Sequence, residues 1–322
     1  MDKNFTWTGR DDPEDGADAL RWHHIIEKDD ENINATAGII GFPCDLGVSR
    51  NKGRIGAAKA PDSLRAALAN LAWHGGKDTI FDFGNVEMPK TGQDPLHEAQ
   101  ENLGDAIESA LQKTNSVLIL GGGHETAAGS FNGLQKFLGH APETKIGIIN
   151  LDAHFDLRKP GEAGISSGTP FYQINEALQK QGQELNYLCL GISETANTKA
   201  LFNRADEWNV GYMFDHELCA SNIDNVKKKI DSFLLNCDVL YLTLDLDVLP
   251  HWKMPAVSAP AAHGVSIGMI EHIINHLGNM KKAGNIKWPL SDVVEFNPDY
   301  DRDGCGAKTA ARLCDTIIRS ML

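Results

Sequence analysis

Three side chains able to hold a hard or borderline cation, Asp152, His154 and Asp156, stand at every second position directly after the apolar run 146–149. The side-chain period of a strand is two, so this spacing predicts all three on one face. The pattern recurs where the apolar run 239–244 leads into Asp245-Leu246-Asp247, with two more carboxylates two apart at the end of a second buried strand. A carboxylate buried alone carries a heavy desolvation penalty. Acids gathered at strand ends therefore need a compensating positive charge, and one or two divalent ions are its simplest source.

Strand-type apolar runs at 37–42, 116–120, 145–151, 187–190, 239–244 and 290–294 alternate with segments of helical periodicity at 61–73, 96–112, 125–138, 223–235, 266–277 and 308–321. This alternation predicts an α/β fold of three layers, a central, mostly parallel sheet flanked by helices. No linker, repeat or low-complexity segment divides the chain. It reads as one domain over residues 1–322, with 1–36 a polar N-terminal arm packing over the body or a neighbouring subunit. The Pro- and Gly-rich pieces at 41–56, 157–170 and 250–264 read as loops over a site.

Composition narrows the function classes. A chain of 322 residues, 42% hydrophobic and 23% charged, can bury a large core. Its formal net charge of -14 argues against nucleic acid and against anionic membrane surfaces as partners. There is no apolar run of membrane-spanning length, and the first residues lack the basic segment and apolar core of a signal peptide, so a cytoplasmic location is expected. The six cysteines lie far apart without a C-x-x-C, which argues for free core thiols over a zinc ribbon or a disulfide scaffold.

A third strand, 116–120, ends in Gly121-Gly122-Gly123-His124-Glu125, so a histidine emerges at the same kind of sheet edge where open α/β sheets carry their sites. His124, Asp152, His154, Asp156, Asp245 and Asp247 then offer two imidazoles and four carboxylates. That mixture suits Mn(II) or another first-row divalent ion better than a thiolate-bound zinc, and four negative charges balance two dications.

With G-G-x-H, D-A-H-x-D, a D-x-D strand end and E-x-N-P in order, the chain from about residue 37 to 321 resembles the arginase/agmatinase, or ureohydrolase, superfamily. The resemblance implies two Mn(II) ions per subunit, one held by His124, Asp152, Asp156 and Asp245, the other by Asp152, His154, Asp245 and Asp247. It further implies that the ions share a hydroxide nucleophile, that Asp156 also carries protons, and that Glu295 pairs with the substrate's planar amidinium or guanidinium. Read without the resemblance, Glu295 is an ordinary strand-end acid.

Departures from arginase and agmatinase point to substrate. Ser167, in Ser166-Ser167-Gly168-Thr169-Pro170-Phe171, stands where agmatinases carry a proton-shuttling histidine, and Arg158 stands where arginases carry a tail-binding asparagine. A guanidinium there favours an anionic tail through bidentate pairing. With Gly123 and Glu125 in place of G-G-D-H-S, and Trp7-x-Gly9-Arg10-Asp11 near the start, the chain resembles the formimidoylglutamase (formiminoglutamase) branch. That branch implies hydrolysis of the amidine N-formimidoyl-L-glutamate to L-glutamate and formamide in histidine degradation, by a homo-oligomer. An agmatinase- or guanidinobutyrase-type enzyme releasing urea is the alternative, and a non-catalytic binding protein of the same fold is a further one.

Other features carry no assignment. His272 and His276 lie four apart on a predicted helix but lack the glutamate of H-E-x-x-H. The triple glycine lacks the Lys-Ser/Thr of a phosphate loop. His23-His24 and His251 have no partner at readable spacing.

Overall fold

The runs that alternate between apolar strand and amphipathic helix assemble into one sheet with a layer of helices on each face. The computed structural model describes residues 1–2, 4–27, 35–89, 94–141 and 143–322. Its strands are β1 (Ile26–Glu27), β2 (Ala37–Gly41), β3 (Ile80–Asn85), β4 (Ser116–Leu120), β5 (Ile146–Leu151), β6 (Asn186–Ile192), β7 (Gly211–Phe214), β8 (Val239–Asp245) and β9 (Lys287–Val294). Among the described residues they form a nine-stranded sheet in the order β1-β3-β2-β4-β9-β8-β5-β6-β7. Every pairing in it is parallel.

The helices are α1 (Leu46–Arg50), α2 (Ala60–Ala69), α3 (Pro95–Leu111), α4 (Thr126–Phe137), α5 (Pro170–Lys180), α6 (Lys199–Glu207), α7 (Ile223–Leu234), α8 (Ile267–Lys282) and α9 (Cys305–Met321). Strand alternation sorts the core into two. Leu118, Leu120, Ile149, Leu242 and Leu244 pack with Leu64, Ile230, Ile273 and Ile317, placing α2, α7, α8 and α9 on one face. Ile119, Ile148, Cys189 and Tyr241 pack with Leu103, Phe131, Phe171 and Leu201, placing α3 to α6 on the other. Each such Leu, Ile or Phe side chain, when fully buried, contributes about 1.5–3 kcal/mol.

Three strands and three helices lie beyond the sequence reading. The periods at 37–42, 116–120, 145–151, 187–190, 239–244 and 290–294 all become strands, but β1, β3 and β7 were not among them. Asp82 is the reason for β3: an acid and Gly84 interrupt the apolar run, and the acid is tolerated because Arg65 Nε and NH2 donate to it at 3.0 and 2.9 Å and Trp7 Nε1 at 2.7 Å. Trp22 is also fully buried, its Nε1 donating to Asp315 Oδ1 on α9 at 2.9 Å. The described part of the polar N-terminal segment is thus stitched into the body by two tryptophans, and β1 pairs with β3. Residues 3 and 28–34 of that segment lie outside the described residues. No described helix is long and apolar enough to cross a membrane.

Candidate metal centre

Four strands adjacent in the sheet, β4, β9, β8 and β5, deliver the predicted ligands at their carboxyl ends. Between β4 and β5 the chain skips two strand positions, which β8 and β9 later fill, and the site sits over this change of direction. β4 leads through the glycines to His124, β9 ends next to Glu295, β8 ends on Asp245 with Asp247 just beyond, and the chain leaving β5 carries Asp152, His154 and Asp156.

The alternation argument holds for spacing and fails for geometry. β5 stops at Leu151, so residues 152–156 are not a strand, and Asp156 lies at a left-handed φ of 47°. Asp152 Oδ1 accepts from the His154 amide at 2.6 Å, while Phe155 turns into the core as its amide donates to Asn197 Oδ1 at 3.0 Å. Asp247 likewise follows Asp245 through a short 3-10 turn, capped by the Asp247 amide donating to Asp245 Oδ1 at 2.8 Å. Turns of the loop, not strand pleat, bring the groups together.

The six residues converge in two overlapping sets. His124 Nδ1 lies 3.2 Å from Asp152 Oδ2, 2.9 Å from Asp156 Oδ2 and 3.1 Å from Asp245 Oδ2. His154 Nδ1 lies 3.0 Å from Asp247 Oδ2 and 3.5 Å from Asp152 Oδ1. The geometric groupings are His124, Asp152, Asp156 and Asp245, and then Asp152, His154 and Asp247, so Asp152 is common to both. Asp245 joins only the first grouping, in contrast to its expected place in both. His124 Nδ1 is buried and makes no hydrogen bond of proper geometry despite three carboxylate oxygens around it. An imidazole lone pair facing a ring of carboxylates fits a divalent cation, and the donor set fits one of Mn(II) character.

Electrostatics carry the same message. Burial opposes charge on His124 and His154, yet the surrounding carboxylates outweigh it and hold both imidazoles well above the usual histidine pKa. Burial pushes Asp245 well above the carboxylate range, helped by Asp247 and Asp152, and pushes Asp247 up to about 6 against the pull of His154. Only Asp152 is held low, its close contacts with the two histidines overcoming burial.

Glu295 stands beside these groups at a left-handed φ of 67°, a conformation that costs about 1–3 kcal/mol outside glycine and gathers at functional sites. Its amide donates to Gly122 O at 2.7 Å and its Oε1 accepts from the His124 amide at 2.9 Å, leaving Oε2 buried without a partner. Burial, and then the nearby Glu125, pushes Glu295 up to about 8, and burial, with a smaller push from Asp45, takes Glu125 up to about 7. The glycines have a steric cause: a Cβ at Gly122 would stand 1.8 Å from Cys44 O, and one at Gly123 would stand 2.2 Å from Glu125 Oε2. The phosphate-cradle reading is thereby unnecessary.

In protein stripped of metal, Asp247, Glu125, Glu295 and both histidines have folded pKa values above their unfolded ones. Their stabilisation is complete below the unfolded values and is lost as pH rises through the folded ones, about 6, 7 and 8 for the three acids. Asp152 is depressed and contributes evenly above pH 4. Chelator-treated protein should therefore melt at least about 3 °C lower at pH 8 than at pH 6, and added Mn(II), which takes the deprotonated ligands, should reverse the slope. A flat calorimetric profile for the metal-free protein would contradict the assignment.

At the rim, Arg158 is exposed, and its guanidinium has no partner among the described residues. Its backbone amide donates to Gly168 O at 2.9 Å, and a Cβ at Gly168 would touch Arg158 Cδ at 2.9 Å and Asn51 Nδ2 at 3.3 Å. Ser167 is buried and accepts from Asn51 Nδ2 at 3.2 Å. Its loop enters α5, where Phe171 meets the His124 ring edge to face at 5.4 Å. The sequence reading passed over Asn51, Glu125 and Thr243, the last 3.1 Å from His124 Nε2. For Glu125 and Thr243, an acid or hydroxyl one or two residues from a ligand was the available signal.

The unassigned histidines lie elsewhere. His276 Nε2 is 2.6 Å from Asp231 on α7, and His272 joins no ligand group among the described residues. His23 and His24 do meet Asp11. However, His24 Nδ1 accepts from the Arg21 amide at 3.0 Å, so Nε2 carries the proton that faces Asp11 at 2.7 Å. That tautomer pins the N-terminal segment and leaves His24 Nε2 with no lone pair for a metal.

Comparison with known proteins agrees with this architecture. A sequence model described as the arginase family matches residues 35–321. The chain is 45% identical over 315 residues to a formimidoylglutamase of Aeromonas hydrophila, covering 97% of this chain and 96% of that one. It is 45% identical over 333 residues to a formimidoylglutamase of Vibrio vulnificus, covering 100% and 96%. Among solved structures, Trypanosoma cruzi formiminoglutamase with Mn2+ superposes with a TM-score of 0.76 at 25% identity, covering 89% of this chain and 93% of that chain. A formimidoylglutamase from Bacillus subtilis shares the fold, with a TM-score of 0.79 at 20% identity and coverage of 95% and 92%.

Proposed function

This chain belongs to the arginase family, and from that membership we propose that it hydrolyses N-formimidoyl-L-glutamate to L-glutamate and formamide, the step that histidine degradation requires. The observation that carries the reading is the convergence of two imidazoles and four carboxylates beside a carboxylate with one buried, unpartnered oxygen. His124, Asp152, Asp156 and Asp245 would hold one Mn(II), and Asp152, His154 and Asp247 the other, with Asp245 the further candidate for the second. Bound there, two such ions supply Lewis acidity and a water acidic enough to attack at neutral pH.

The protein's own groups do the remainder. Glu295 Oε2 receives an N–H of the substrate amidinium in a charge-assisted hydrogen bond, while Oε1 stays on the His124 amide, so the head is held at a fixed angle. Asp156 accepts the proton of the attacking water and returns it to the glutamate nitrogen as the C–N bond breaks. Ser167 cannot shuttle protons as a histidine does, and it lines the path as a hydrogen-bonding group. The free Arg158 guanidinium takes a carboxylate of the tail. We place the enzyme in the cytoplasm as a homo-oligomer, the assembly being readable by light scattering.

The test is release of formamide and glutamate by Mn(II)-loaded protein, with chelated protein as blank and agmatine and arginine as competitors for the assignment. Urea from a guanidino substrate would move the protein to a sister activity. Arg158→Ala should raise KM for formimidoylglutamate roughly 10- to 100-fold, the loss of one charge-assisted hydrogen bond of about 1.5–3 kcal/mol. An amidine without carboxylates should be hydrolysed within about threefold of wild type. Equal losses on both substrates would remove Arg158 from the tail site.

A further inference from the structure

Behind His124 lies a buried polar network that the reaction as described does not use. Tyr241, Thr243 and Asp245 alternate along β8 and so share one face. Thr243 is the direct register partner of Asp292 on β9. Asp292 is wholly buried and makes no salt bridge among the described residues, and its Oδ2 accepts from Ser130 Oγ of α4 at 2.7 Å and from the Tyr241 hydroxyl. Its Oδ1 has no partner meeting hydrogen-bond geometry; burial pushes the carboxyl above its usual range, and the Thr243 hydroxyl of the register-partner residue works against that rise. The same Thr243 oxygen lies 3.1 Å from His124 Nε2.

The directions of these bonds follow from what each group can donate. With Nδ1 turned to the carboxylate ring, the proton of neutral His124 sits on Nε2 and points at Thr243 Oγ1. That leaves the single Thr243 hydroxyl proton for Asp292 Oδ1, the one oxygen without a donor. Ser130 and Tyr241 saturate Oδ2, so the carboxylate cannot rotate away. We propose that Asp292, acting through the Thr243 hydroxyl, is a positioning residue that fixes the tautomer and orientation of His124 and thereby sets the affinity of the metal position His124 serves. A carboxylate behind a ligating histidine raises its basicity and locks its ring, and loss of such a partner typically costs 10- to 100-fold in metal affinity. Here a hydroxyl relays the effect, which places the buried charge one group further from the cation than a direct contact would.

This inference rests on the metal-centre reading above, and the experiment separates the two. Mn(II) binding to full-length protein is followed by titration calorimetry and by the EPR signal of free Mn(II), beside thermal melting of the metal-free variants. Thr243→Val, which keeps the shape and removes the hydroxyl, and Asp292→Asn, which removes the charge, should each weaken one of the two binding steps roughly 10- to 100-fold and change the other less than about threefold. Thr243→Ser keeps the hydroxyl and should stay within about threefold of wild type in both steps. Wild-type constants in Thr243→Val or in Asp292→Asn would overturn the relay, as would a Thr243→Ser variant as weak as Thr243→Val, since the volume and not the hydroxyl would then matter. Should Thr243→Val fail to fold, Asp292→Asn and Thr243→Ser carry the same comparison. Wild-type protein that binds no Mn(II) would overturn the metal centre itself and the relay with it.

Discussion

Asp152→Asn should bind neither Mn(II) ion tightly and lose formimidoylglutamate hydrolysis by at least about 10³-fold, the equivalent of roughly 4 kcal/mol of transition-state stabilisation. Asp152 is the group common to both ligand sets, with one oxygen facing His124 and the other His154. Replacement by an amide removes the charge from both positions at once. It also creates a local conflict. Asp152 Oδ2 accepts from Asn150 Nδ2 at 2.8 Å, and Oδ1 accepts from the His154 amide at 2.6 Å. An asparagine has a single acceptor oxygen, so whichever way it is turned one N–H faces another N–H, at a cost of about 1–3 kcal/mol. The variant should therefore melt lower even without metal, and the wild-type gain in melting temperature on adding Mn(II) should disappear. Retention of two ions with near-normal activity would refute the shared role of Asp152.

The D-x-H-x-D spacing was legible because ligand chemistry restricts which residues serve, and the apolar run before it marks a strand end. How the ligands meet was not legible. His124 and Asp245 are separated by a long stretch of chain, and only the strand order β4-β9-β8-β5 makes them neighbours. Nor does a two-residue spacing in the sequence distinguish a strand from the irregular chain at 152–156 or the 3-10 turn that follows Asp245. Strand β3 escaped because Asp82 breaks its apolar pattern while finding its partners, Arg65 and Trp7, far along the chain. The polar N-terminal segment was expected to pack over the body or a neighbouring subunit, but its composition did not show that Trp7 and Trp22 make the contacts to the body. Asp292 was an acid in the middle of a buried strand, and such an acid needs hydroxyl partners from other elements, which no local pattern reports.

Glu295→Gln separates substrate recognition from metal binding, which makes it the sharper test of mechanism. The amide retains size and can keep its oxygen on the His124 amide, so the loop and both metal positions should survive. What changes is the second atom, which becomes an N–H donor pointing at the N–H donors of an amidinium. Breaking one side of a buried ion pair costs about 3–5 kcal/mol, so kcat/KM for formimidoylglutamate should fall roughly 150- to 5,000-fold, with Mn(II) affinity within about threefold of wild type. Glu295→Asp keeps the charge but withdraws the carboxylate by one methylene, and it should recover part of the loss in kcat while leaving KM high, because orientation over the nucleophile depends on reach. If Glu295→Gln turned over substrate at the wild-type rate, the head group would be held elsewhere, with Glu125 the nearest remaining carboxylate to examine; if it lost metal instead, Glu295 would be a support for His124 and not a substrate group.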